Sequence, residues 1–141
     1  MKLETKIINT LKEYGKKNVS KPVDIKVIPE GDYNLSIEKI LAGEATNGNG
    51  YRIIVNFQVI DGEYQGFEFP TTFCLKHPDK NVEKLSNSLF YDMLLSAGIK
   101  EWQINNFDTD LLLSKKVRAH VIVEPAKGDY PERNRAFNFV I

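Results

Sequence analysis

Lys115, Lys116, Arg118, Lys127, Arg133 and Arg135 fall within one stretch of the chain, against only Glu124, Asp129 and Glu132, and Tyr130 stands among them. Cations interleaved with a ring are the residue types that hold a single-stranded nucleic acid. Ammonium and guanidinium groups track the phosphates, and a stacked base contributes about 1–3 kcal/mol. The same residues also suit an ordinary solvated loop. The chain as a whole does not decide between the two, because 19 Lys and Arg balance 19 Asp and Glu. There is no net field to draw in a polyanion, so any phosphate contact must be local.

Other chemistries find little footing. The sequence has no Gly-rich phosphate loop, no G-x-S-x-G elbow and no H-E-x-x-H helix, and the glycines of Gly43 to Gly50 are not followed by Lys-Ser/Thr. The expectation is a protein that is not an enzyme and carries no cofactor. Asp108 and Asp110 precede Leu111-Leu112-Leu113, a position that suits helix capping better than metal binding. Cys74 and His77 have C-x-x-H spacing, but zinc needs further ligands and the only other histidine is His120. No metal is therefore expected. A single cysteine allows no intrachain disulfide and points to a reducing compartment. No apolar run approaches the ~20 residues that cross a bilayer, and the first residues lack a secretory h-region. A cytoplasmic protein with no membrane contact is expected.

The elements that must position these residues are legible as periodicity. From Tyr51 to Ile60 the odd positions are apolar while Arg52, Asn56 and Gln58 lie between them, the period of a half-buried strand. Asp61-Gly62 and Gly66 turn the chain into a hairpin partner carrying Phe67, Phe69, Phe73 and Leu75 on one parity. A later strand sets Val117, Ala119, Val121 and Val123 inward against Arg118, His120 and Glu124. The last, from Arg135 to Ile141, groups Phe137, Phe139 and Ile141. In the first strand Tyr33, Leu35 and Ile37 share a parity that Ile40 breaks, which predicts a bulge near Glu38-Lys39. Between the third and fourth strands, Asp79 offers an N-cap to a helix whose apolar stripe is Val82, Leu85, Leu89, Met93, Leu94 and Ala97, ending at Gly98. A short helical turn is expected from Asp108 to Leu113.

Three strands, a helix and two strands is the order of a five-stranded Greek-key barrel of the OB type, which binds oligonucleotides or oligosaccharides. The predicted fold is therefore mainly β, with the helix closing one end of the barrel. Residues 29–141 form the barrel domain and residues 1–28 an N-terminal helix and linker. In that first segment Leu3, Ile7, Leu11 and Tyr14 make an apolar stripe widened by Ile8, suited to docking on the barrel, on a partner or on a second copy.

Pro29-Glu30-Gly31-Asp32-Tyr33 opening a strand, the hairpin Asp61 to Gly66, the helix closing at Ala97-Gly98, Leu-Leu-Leu-Ser-Lys-Lys before a Val-rich strand, and Tyr130-Pro131-Glu132-Arg133-Asn134 before the last strand resemble a family of small bacteriophage proteins. That family was long catalogued as being of unknown function, is found beside phage recombination and replication genes, and is regarded as single-stranded DNA-binding. The resemblance spans about Pro29 to Phe139. It implies single-stranded DNA as partner, with phage recombination or replication proteins alongside, in the cytoplasm of a bacterial host. Unlike bacterial single-strand binders, the chain given ends in Phe137-Asn138-Phe139-Val140-Ile141 and not in an acidic tail. The residues expected to meet phosphate are Arg52, Lys76, Arg118, Lys127, Arg133 and Arg135. Tyr130 is the expected stacking ring, with Tyr51, Phe67 and Phe137 as further candidates whose strand parity also suits the core. A phage-encoded inhibitor of a host protein is the alternative reading, and a carbohydrate-binding sandwich a third.

Overall fold

The computed structural model describes residues 25–44, 48, 50–105 and 107–141, together with Thr5 and Asn9. Five strands form one antiparallel sheet: β1 (Gly31–Glu44), β2 (Tyr51–Val59), β3 (Glu68–Lys76), β4 (Lys116–Glu124) and β5 (Arg133–Phe139). Their order is β3-β2-β1-β4-β5. The long first strand serves two neighbours: Gly31 to Ser36 pair with β4, and Leu35 to Glu44 pair with β2. Its register slips between Ile37 and Lys39, leaving Glu38 unpaired where the Ile40 phase change predicts the bulge. Such a bulge bends a strand and sharpens its twist.

Alternation sets the core. Ile53, Val55, Phe57 and Val59 of β2, Phe69 and Phe73 of β3, and Val117, Ala119 and Val121 of β4 are all buried. The bend brings the two ends of the sheet together around them. The ring of Phe139 on β5 lies 6.3 Å from that of Phe73 on β3 and 6.0 Å from that of Phe57. Between the same edges, Ala136 N–H donates to the buried Thr71 Oγ1 at 3.0 Å. Among the described residues the hydrogen-bonded sheet is nonetheless open, with no β3–β5 ladder, so the closed barrel expected from the element order is not seen as such. Its edges meet through side chains.

The helical part also departs from expectation. Between β3 and β4 lie α1 (Lys80–Ser96), a one-turn α2 (Glu101–Ile104) and a 3-10 turn (Thr109–Leu112), where one helix and one short turn were predicted. Asp79 caps α1, its side chain accepting from Asn81 N–H at 2.9 Å. The buried face is Ser86, Leu89, Phe90, Met93 and Leu94, while Val82 and Leu85 of the expected stripe are exposed. Phe90 wins that place because it meets Phe73 edge-on at 5.4 Å, and the helix packs against both edge strands and β4. In β5 a second bulge intervenes. Asn138 takes φ 59°, so Phe139 turns into the core while Phe137 stands on the other face opposite His120, and Ile141 is exposed. The expected grouping of Phe137, Phe139 and Ile141 is thereby corrected.

Of the expected N-terminal helix only Thr5 and Asn9 are described, both helical and exposed; its apolar stripe lies outside the described residues. The chain from Ile25 onward packs on the sheet. Ile28 is fully buried, and Asn134 serves it as a strand neighbour would: Oδ1 accepts from Ile28 N–H at 2.8 Å and Nδ2 donates to Ile28 O at 2.9 Å. No helix among the described residues is long and apolar enough to cross a membrane.

Candidate nucleic-acid interface

The loop joining β4 to β5 is built as an extended hairpin. Lys127 and Tyr130 exchange both backbone hydrogen bonds, at 2.9 and 3.0 Å, around Gly128-Asp129. Gly128 holds φ 57° at the first central position, which a type II′ turn requires and which glycine meets without strain. The hairpin curls around a concavity of about 730 Å³ lined by Lys127, Arg133 and Tyr130, by the acids Glu124 and Asp129, and by Pro125, Ala126, Gly128 and Pro131. Tyr130 is 70% exposed. A buried ring packs against its neighbours, whereas this one faces solvent. Arg133, itself exposed, pairs across the strands with the half-buried Glu124 at a long 3.8 Å, a contact worth little.

Strand pairing continues this surface along the outer face of β4 and β5. Arg135 stands opposite Ile122, and Phe137 opposite His120. Arg135 is half-buried, and its Nε is buried without a hydrogen-bond partner. Arg118, on the same face of β4, is already engaged: Nη1 donates to Asn34 Oδ1 at 3.0 Å, and Asn34 Nδ2 donates to Asp61 Oδ2 at 2.8 Å. His120 sits between two carboxylates, Nδ1 at 3.0 Å from Asp32 Oδ1 and Nε2 at 3.1 Å from Glu30 Oε1. The bond to Asp32, then that to Glu30, raises its pKa above the ordinary histidine value against the opposing effect of burial. The cations of this face thus come with acids close by.

The remaining expected residues lie elsewhere. Arg52 is exposed on β2, opposite Gly43 of β1 and Cys74 of β3, and Lys76 is exposed at the end of β3 opposite Tyr51. Tyr51, Phe67 and Phe137 are all half-buried against the core, Phe67 stacking on Phe69 at 6.3 Å. The structure therefore assembles Arg118, Lys127, Tyr130, Arg133, Arg135 and Phe137 on β4, β5 and their hairpin. It puts Tyr51, Arg52 and Lys76 together at the β2–β3 end and leaves Phe67 apart from both. Between those strands, Leu41, Ile54 and Thr72 stand in one cross-strand row, with Leu41 54% exposed. Sequence reasoning missed that row because the β1 bulge moves Leu41 to the outer face. It also missed Trp102, the only tryptophan, which is 74% exposed on α2; its rarity was the available signal. Among the described residues no three His, Cys, Asp or Glu side chains gather as a metal site. Cys74 is half-buried in β3, and His77 Nδ1 is occupied by Asp79 N–H at 2.9 Å.

Residues 12–136 match a family described as a protein of unknown function (DUF669), and the chain belongs to that family. No curated protein matches the chain.

Proposed function

We propose that the protein binds single-stranded DNA with little sequence preference, using the β4–β5 hairpin and the adjoining outer face of the sheet, in phage replication or recombination within a bacterial host. In this reading the coiled sheet is an OB-type barrel whose edges are sewn together by Thr71, Ala136, Phe73 and Phe139. The barrel holds the strand and performs no catalytic step. The observation that carries the proposal is the exposed Tyr130 set between Lys127 and Arg133 around an open concavity. A flat ring beside cations is what a base and its phosphate require.

Binding to a labelled dT oligomer tests it. Affinity should exceed that for duplex of equal length and fall linearly in log-log form with salt, with a slope of about −0.7 per phosphate neutralised. Replacing Arg133 and Arg135 with Ala should flatten the slope by about one to two such steps, whereas Tyr130→Ala should weaken binding about tenfold at every salt concentration without changing it. Wild-type protein that binds no oligomer at low salt would overturn the reading. The alternative, a protein-interaction module or inhibitor of a host protein, is favoured by Trp102, because a large exposed ring is the residue type that anchors protein interfaces.

A further inference from the structure

A second concavity, of about 460 Å³, shares no lining residue with the hairpin cleft. It lies between the start of β2 and the chain leading from β3 into α1, and Tyr51, Lys76, His77, Lys80, Glu44 and Glu83 line it. The register slip between Tyr51 and Arg52 leaves Leu75 unpaired and sets Tyr51 opposite Lys76. A ring and an ammonium group thus become cross-strand neighbours. His77 Nδ1 accepts from Asp79 N–H, so the neutral ring carries its proton on Nε2 and keeps a donor to offer. Glu83 is turned to the protein: Oε1 accepts from His77 N–H at 3.1 Å and Oε2 from Lys80 Nζ at 3.3 Å. These bonds, that from His77 first, hold its carboxyl below the usual carboxylate range. Glu83 thus lies beside Lys80, His77 N–H and the charge of Lys76, while among the described residues Lys76 Nζ, His77 Nε2 and the remaining hydrogens of Lys80 have no further hydrogen-bond partner. The Asn81 amide in the first turn of α1 is already taken by the Asp79 side chain.

We infer that this groove binds a nucleoside monophosphate unit, its phosphate on Lys76, His77 and Lys80 and its base against Tyr51. The unit is either a free nucleotide or the phosphorylated end of a strand, and only the second source rests on the single-strand reading above.

Amide and imidazole NMR shifts of the full chain decide the matter with five probes: dTMP, thymidine, inorganic phosphate, and 5′-phosphorylated and 5′-hydroxyl dT oligomers. dTMP should shift Tyr51, Lys76 and His77, and thymidine at the same concentration should not. The double variant Lys76→Ala, Lys80→Ala should weaken dTMP binding at least tenfold with an unchanged thermal midpoint, since both side chains are exposed. Tyr51→Leu should weaken it too, and inorganic phosphate alone should bind more weakly than dTMP. A phosphorylated oligomer that shifts the groove when the hydroxyl oligomer does not identifies a strand end as ligand; a groove shifted by dTMP but by neither oligomer identifies the free nucleotide. If millimolar dTMP leaves these residues unmoved, or inorganic phosphate matches it, the inference is overturned. Oligomer binding at Tyr130 can survive that result, and its absence can coexist with dTMP in the groove, so the two readings fail separately.

Discussion

At the scale of a single residue, His120 couples pH to the junction of β1 and β4. Both of its ring nitrogens face carboxylate oxygens, and a neutral imidazole has only one N–H to give. Both contacts are hydrogen bonds only when the ring is protonated. Its raised pKa means that the folded state holds the proton more tightly than the unfolded chain. The stabilisation is therefore complete below the ordinary histidine pKa of about 6.5 and is lost as pH rises through the folded value. Urea midpoints compared between wild type and His120→Gln should differ most on the acidic side and converge in mild alkali. A gap that widens with rising pH would show the opposite linkage. Asn134 illustrates a different residue effect: an amide buried at 3% exposure looks like a surface residue in the sequence, yet it also donates to Ile122 O at 3.3 Å while holding Ile28.

Bulges decide what each strand displays. Glu38 bends β1 and brings Leu41 outward, Leu75 sets Tyr51 against Lys76, and Asn138 separates Phe137 from Phe139. The last depends on a positive φ, which asparagine tolerates and β-branched residues do not. Asn138→Val should cost about 1–3 kcal/mol in chemical denaturation, and Asn138→Gly should leave stability nearly unchanged. Equal losses for the two would mean that the side chain, and not the backbone angle, matters there. The helix obeys a similar rule of competition. Its sequence stripe favours Val82 and Leu85, but the surface it covers is shaped to Phe90, and the helix turns to suit the larger ring.

For the whole molecule, the meeting of β3 and β5 is the joint on which the nucleic-acid reading depends, because only a strongly coiled sheet presents its outer face as a curved platform. Thr71 Oγ1 satisfies Ala136 N–H in place of a ladder. Thr71→Val keeps the shape and removes the acceptor, leaving a buried donor unpaired, a loss of about 1–3 kcal/mol. The Ala136 amide should then exchange its hydrogen faster than in wild type, with Thr71→Ser restoring protection. Unchanged exchange in Thr71→Val would show that the edges are held by aromatic packing alone.

The five strands, the Asp79 cap, the β1 bulge and the turn at Asp61-Gly62 were legible in the sequence, because each is written in neighbouring residues: an alternation, a phase change, a glycine where φ must be positive. The sequence also brought Lys127, Tyr130 and Arg133 together, since one loop carries all three. The rest is set by contacts between distant parts of the chain. Whether a sheet closes, which helical stripe is buried and which cation already has a carboxylate beside it all depend on groups distant in the chain. Phe73 meets Phe139, Arg118 is tied through Asn34 to Asp61, and Asn134 holds Ile28. Periodicity reports which residues share a face; only packing fixes what that face meets.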